Sequence, residues 1–512
     1  MTSSAQGRTR FGYTVRQEPP VRVYQPLRIQ PVLLYDYYGK SAPGPRGAPG
    51  GIVTVQHVAE EERRIRRELD GVRQGATFPL EILPLALVSR VEHAERLENR
   101  SFDGVLVYGA GGPLELLDAV AETGKYNILF VRHRTGPVYR WYKMAHAHFL
   151  RRRTDAFQQP AAMNPADVVV DNYEALVWRL QALYGLRNTE GARIVVLEGA
   201  NAAPDADAVP GEAEDGAPYG PYAQWNMDVV PLTRHELHNR FAAALADRAF
   251  VARVRDAAAH YLATPDVMVF GPQTGFTAEE LFSRRAVNTD TTYALADRAF
   301  LAAEIFRDIL REANAAAITT GDCQTQALPV TNTTACLTNM LLNDDGFLAF
   351  CESDFAAVPA GFLLHHIAGA PVFLGSPAWP HNGMLTLCHC TAPRRMDGMT
   401  REPVKIRTFP QPFPAAAPKV EFRLGQEITL LGPDFDGASW QGLRGTISAN
   451  PNLDLGATQT DILFDGDAQT LARSMRGLHW VACYGDYRRE VGYALGKKGL
   501  SWRDISSGGA SA

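Results

Sequence analysis

The segment FCESD, Phe350–Asp354, sets Glu352 and Asp354 two residues apart behind Phe347, Leu348 and Phe350, which read as strand. Alternation along a strand sends both carboxylates to one face. Two carboxylates aimed together at the end of an apolar strand repel each other and resist desolvation unless a cation or donors compensate. A divalent metal is therefore a natural third party. The plainer alternative is a strand that ends in a solvated turn. His389 in LTLCHCTAP and His479 in GLHWVACYGDY lie among apolar, strand-like residues. A lone histidine on such an element is more often a core residue with its hydrogen bonds met than a ligand, so neither decides the matter singly. Asp322, beside Cys323, and Asp486, in a YGD turn, are weaker candidates, because an acid next to glycine is ordinarily turn chemistry.

Other motifs have structural explanations. VYGAGGP, Val107–Pro113, follows a strand and opens a helix, so its N–H groups could receive an anion, but the third glycine of a dinucleotide fingerprint is absent. RHELHNR, Arg234–Arg240, puts its second histidine three residues after the first, where a zinc-protease helix needs four. Thr233 and Glu236 there make a capping box, as do Thr277 and Glu280. FLRRRTD, Phe149–Asp155, reads as a solvated helix end where arginines favour the dipole. The six cysteines, Cys323, Cys336, Cys351, Cys388, Cys390 and Cys483, contain no CxxC pair and read as thiols. Buried small apolar positions are the expected use, with a metal or reactive-thiol role as the alternative.

These residues need several domains to position them. The chain has 512 residues, too many for one ordinary core. A composition of 46% hydrophobic and 21% charged residues excludes a wholly disordered or collagen-like chain. Lys plus Arg total 51 against 56 Asp plus Glu, a formal charge of −5, so no bulk positive field draws nucleic acid or anionic lipid. No leader-like start and no apolar run of about 18 residues is present, so the expectation is a cytoplasmic protein with no membrane partner.

FDGVLVYGAGG, the helix-like PLELLDAVAETGK and NILFVR give strand, helix and strand, as a parallel layer requires. A polar arm to about residue 26 and a Gly/Pro loop at Ser41–Gly51 flank the first strand. The pattern restarts at Asp167 with an amphipathic helix and ARIVVLEGAN, interrupted by an acidic insertion at 201–220. ALADRAF occurs at Ala244–Phe250 and Ala294–Phe300 without matching surroundings, which indicates similar helix chemistry and no repeat. After Asp345, short apolar runs and turns argue for β structure, antiparallel beyond Pro410, with a terminal helix ending at Gly499. The expected fold is α/β: two Rossmann/flavodoxin-like domains, 1–166 and 167–345, then a β-rich C-terminal domain, 346–512.

TTACLTNMLLNDDGFLAFCESD, HHIAGAPVFLGSP, LCHCTAP and GLHWVACYGDYRREVGYALGKKGL, in that order, resemble the L-fucose isomerase-like branch of the fucose and arabinose isomerase superfamily. The similarity runs over about Asp167–Trp502. It implies an aldose–ketose isomerase acting through an enediol, with a divalent metal, usually manganese, held by two carboxylates and a histidine. Carried onto this chain, Asp354 and His479 are the implied ligands. Cys336 stands near the place of the family's first glutamate, where a thiol is no ordinary base beside a hard metal. Glu352 is expected to take that role as ligand or base, with His389, and Cys336 itself, beside the sugar. The resemblance also implies a homo-oligomer, trimer or hexamer. A sugar-binding or regulatory protein without catalysis, and a metal-dependent sugar epimerase or lyase, are the alternatives.

Overall fold

A computed structural model describes residues 24–36, 52, 54–98, 101–123, 126–158, 163–197, 220–269, 289–321, 323, 327–408, 415–453 and 455–506. The 41–51 loop, the acidic insertion up to residue 219, the Thr277/Glu280 helix start and Asp322 lie outside them. The chain is mixed α/β, and its described residues divide into two compact units, one within 24–188 with 489–499, the other within 189–488 with 500–506.

In the first unit a six-stranded parallel sheet runs in the order 80–82, 27–34, 104–109, 126–131, 168–170, with 86–88 also pairing 27–34. Val105, Leu106, Val107, Ile128, Leu129 and Phe130 are buried without alternation, as strands of a parallel sheet covered on both faces must be. Val168–Val170, which the sequence placed at the start of the second domain, pairs with Tyr126–Val131 and so completes this sheet. The helix Val55–Gly75 begins at Thr54, whose hydroxyl accepts the His57 N–H, and buries Val58, Ile65, Leu69 and Val72. Glu61 is buried on the same face and is satisfied there by Arg132 at 2.6 Å and the Tyr139 hydroxyl at 2.5 Å.

In the second unit a four-stranded parallel sheet has the order 348–350, 317–319, 193–197, 228–232. The β-rich region holds a closed, wholly antiparallel barrel of six strands in the order 427–433, 480–484, 373–377, 384–389, 458–464, 439–449. Pairing of 427–433 with 439–449 closes it. Closure leaves no open edge, and the inward residues Leu385, Leu387, Ile428, Leu430, Leu443 and Ile462 are buried. Among the described residues no helix is long and apolar enough to cross a membrane.

Thr233 accepts the Glu236 N–H at 3.1 Å and starts the helix Arg234–Ala246, as the capping pattern predicts. Arg152 and Arg153 of FLRRRTD sit past the helical turn with positive φ, and Arg152 pairs with Asp118.

Candidate functional site

The edge strand Leu348–Phe350 stops earlier than FCESD suggests, and residues 351–354 form a turn at its carboxyl end. Side-chain alternation therefore does not bring Glu352 and Asp354 together; the turn does. Thr320 on the neighbouring chain segment holds the turn by donating its hydroxyl to the Cys351 carbonyl at 2.9 Å, and Thr319 and Ser353 hydroxyls meet at 2.7 Å. Asp354 ends the turn by accepting the N–H groups of Ala356 and Ala357 through Oδ1 at 3.1 and 3.0 Å, ahead of the helix Ala357–Ala368. The two histidines come from the barrel. His389 is the last residue of the strand Met384–His389, and His479 immediately precedes Trp480–Tyr484.

The four side chains converge. His479 lies between the carboxylates, with Nδ1 2.9 Å from Asp354 Oδ2 and Nε2 3.1 Å from Glu352 Oε2. His389 Nε2 is 3.4 Å from the other oxygen of Glu352, and the two imidazoles meet edge to face at 5.5 Å. Both histidines are buried, while the Glu352 side chain, 29% exposed, is the member of the group most open to solvent. Burial alone would push the His479 imidazole down, but Asp354 and Glu352 override it and hold the group up at about 10. Burial likewise opposes ionisation of Glu352, and His389 and His479 overcome it, holding that carboxyl well below the usual range.

Glu352, His389 and His479 form one group with ligand atoms close enough to hold a metal ion, and Cys351, His389 and Cys390 form another. Asp354, expected from the sequence to be a ligand, has one oxygen on the backbone and the other on His479. That is the placement of a carboxylate that orients a metal-binding imidazole. Cys336 opens the helix Cys336–Asp344 and is buried within a cluster of thiols. The Cys351 and Cys390 sulfurs stand 3.8 Å apart, and Cys323 lies in the same cluster. Hydrogen bonds from Cys323 and Cys390 hold the Cys336 thiol well below its ordinary range.

Tyr222 carried no sequence signal. Its hydroxyl is buried with no hydrogen-bond partner among the described residues, its ring packs on Phe355 at 4.3 Å, and burial together with the Asp354 charge keeps the phenol neutral. A surface groove of about 780 Å³, lined by Trp379, His381, Asp467 and Arg473 among others, lies by the Met384 end of the strand that His389 terminates. No protein-family model matches the chain, and no curated protein matches it.

Proposed function

We propose that this protein is a metal-dependent sugar isomerase that interconverts an aldose and its ketose through an enediol. The observation that carries the reading is His479 between Glu352 and Asp354, with His389 on the second oxygen of Glu352. The donor set suits a divalent cation: a proton on His479 is the positive charge that the two carboxylates hold between them, and an oxygen and two imidazole nitrogens already converge. Glu352, His389 and His479 would hold it, and Asp354 would fix the ring of His479. When bound, the cation, manganese by the resemblance, supplies Lewis-acid stabilisation of charge on the substrate oxygens.

The rest falls to the chain. Glu352, ionised and the most exposed of the group, is the residue suited to move a proton between adjacent carbons, a contribution of about 10² to 10⁴ in rate. Tyr222 offers a neutral phenol with an unused donor near Asp354. Read in chain order, and with the short strands 80–82 and 86–88 beside 27–34 counted as one edge position, the two parallel sheets run 2-1-3-4-5 and 2-1-3-4, which supports a flavodoxin-like reading of both. In such sheets ligands collect outside the carboxyl ends of the strands, where the 351–354 turn lies. A cytoplasmic homo-oligomer, trimer or hexamer, belongs to the same reading.

The test is a panel of aldoses with Mn²⁺ in D₂O, followed for exchange at C2 and for ketose. Exchange with ketose formation supports the isomerase. Exchange without ketose assigns an epimerase or lyase, and metal-independent sugar binding without exchange assigns a binding protein.

A further inference from the structure

Two pairs of consecutive residues meet at the candidate site. Cys351 and Glu352 come from the turn after Leu348–Phe350, and His389 and Cys390 from the end of the barrel strand Met384–His389. The imidazole of His389 stands between two kinds of neighbour: its Nε2 is 3.4 Å from a Glu352 oxygen, and its Nδ1 is 3.8 Å from the Cys390 sulfur. The Cys351 sulfur lies 3.8 Å from that of Cys390, and the two sulfurs and a ring nitrogen of His389 are all within 4.8 Å of one another. The proposed reaction uses the oxygen side of this imidazole and leaves the sulfur side without a task.

Packing does not account for the sulfur side. A core position filled by cysteine needs only a small apolar group, which gives no reason for two sulfurs to converge on an imidazole nitrogen. Thiols are weak hydrogen-bond partners, so the three groups gain little from one another directly. Their spacing suits a cation. A tetrahedral ion with bonds of about 2.3 Å to sulfur and about 2.05 Å to imidazole nitrogen sets its two sulfurs about 3.8 Å apart and each sulfur about 3.6 Å from the nitrogen. The sulfur–sulfur and Cys390–Nδ1 distances, both 3.8 Å, match to within a few tenths of an ångström. The Cys351 end is fixed through its carbonyl, which accepts the Thr320 hydroxyl at 2.9 Å.

We propose that Cys351, Cys390 and Nδ1 of His389 form a site for a soft divalent cation such as Zn²⁺, whose fourth tetrahedral position goes to water or a small anion. Thiolate selects softer ions and carboxylate harder ones, so the two faces of His389 sort metals by ligand chemistry. Binding displaces the two thiol protons to solvent. A neutral imidazole metallated at Nδ1 keeps its proton on Nε2, where it faces Glu352 as a donor. Neither sulfur belongs to the proposed isomerase machinery, and the test reads metal–sulfur bonding without sugar, so the two readings fail separately.

The full chain, kept reduced and stripped of metal without oxygen, is titrated with Co²⁺ and then Zn²⁺. Co²⁺ should give sulfur-to-cobalt charge-transfer absorption in the near ultraviolet, which Zn²⁺ removes; Co²⁺ held by carboxylate and imidazole alone gives none. The band should persist in Glu352→Gln, Cys388→Ser and Cys483→Ser. Cys351→Ser, Cys390→Ser and His389→Gln should each weaken Co²⁺ binding by more than about 100-fold, since even a partner behind a ligand is ordinarily worth 10- to 100-fold. Absence of the band in the wild-type chain overturns the proposal without any variant. So does a band that keeps its affinity in both Cys351→Ser and Cys390→Ser, or in His389→Gln.

Discussion

His479 and Asp354 meet at 2.9 Å through Nδ1, which leaves Nε2, the other ring nitrogen, directed at Glu352. A carboxylate behind an imidazole fixes ring orientation and tautomer, and removing such a partner ordinarily costs 10- to 100-fold in metal affinity. Asp354→Asn should therefore weaken manganese binding by about that factor. Glu352→Gln, which removes a converging oxygen, should abolish it. Calorimetric titration of both variants checks the order; equal and complete loss in both would place Asp354 among the ligands.

The same pair predicts a pH dependence of the metal-free fold. The folded pKa of His479, about 10, lies above the ordinary imidazole value of 6.5, so the folded chain holds a proton that the unfolded chain has lost over that interval. The associated stability is fully present below pH 6.5 and disappears as pH rises through about 10, at a rate near 1.4 kcal/mol per pH unit for one proton. Urea unfolding of metal-free wild type and His479→Gln at pH 6, 8 and 9.5 isolates the effect. The gap between them should close as pH rises, and a constant gap would remove the charge on His479 from the account.

Much of the framework was legible because strand and helix signals are local. LTLCHCTAP placed His389 on a strand, and GLHWVACYGDY placed His479 at the head of another. FCESD singled out the carboxylates that meet the histidines, but through strand alternation, whereas the strand ends at Phe350 and a turn brings them together. Spacing alone cannot tell an acid that faces an ion from one that, like Asp354, accepts backbone N–H groups ahead of a helix and meets a histidine. The thiol cluster was invisible: the members that interact are 13 to 54 residues apart, and only folding of a sheet, a helix and a barrel strand joins them. ALADRAF shows the limit of local reading. At 244–250 Asp247 breaks the helix and caps the next by accepting the Phe250 N–H, whereas at 294–300 the same residues lie inside the unbroken helix Thr289–Ala313.

In the first unit Lys497 pairs with Asp167 at 2.6 Å, and the Tyr493 hydroxyl donates to the same carboxylate at 2.6 Å. Both charged groups are out of solvent, and burial keeps the Asp167 carboxyl above its usual value even with Lys497 beside it. Lys497→Met strands a buried carboxylate and should cost about 3–5 kcal/mol at pH 7.5. Part of that loss should return at pH 5, where the carboxyl can protonate. Adding Asp167→Asn should recover stability, and a double variant no better than the single one would show that packing of the lysine stem carries the effect.

Gly477 sets the path of the chain two residues before His479. Its φ of +66° is a left-handed conformation that costs an L-residue about 1 kcal/mol or more, and a Cβ there would stand 2.2 Å from the Pro433 carbonyl oxygen at the end of the barrel strand Glu427–Pro433. That neighbour is backbone within a closed barrel, so residues 477–479 must move instead. Gly477→Ala should lower stability by about 1–3 kcal/mol and should also weaken manganese binding, since His479 is carried along, although no ligand is touched. Gly496→Ala is the contrasting substitution: it lies inside the helix Arg488–Lys498, nothing stands within 4 Å of the new methyl group, and it should stabilise by about 0.5–1 kcal/mol with metal affinity unchanged. Urea midpoints and manganese titrations of the two variants decide it. A Gly477→Ala protein that unfolds earlier yet binds manganese like wild type would show that the turn supports the barrel and leaves the imidazole where it is.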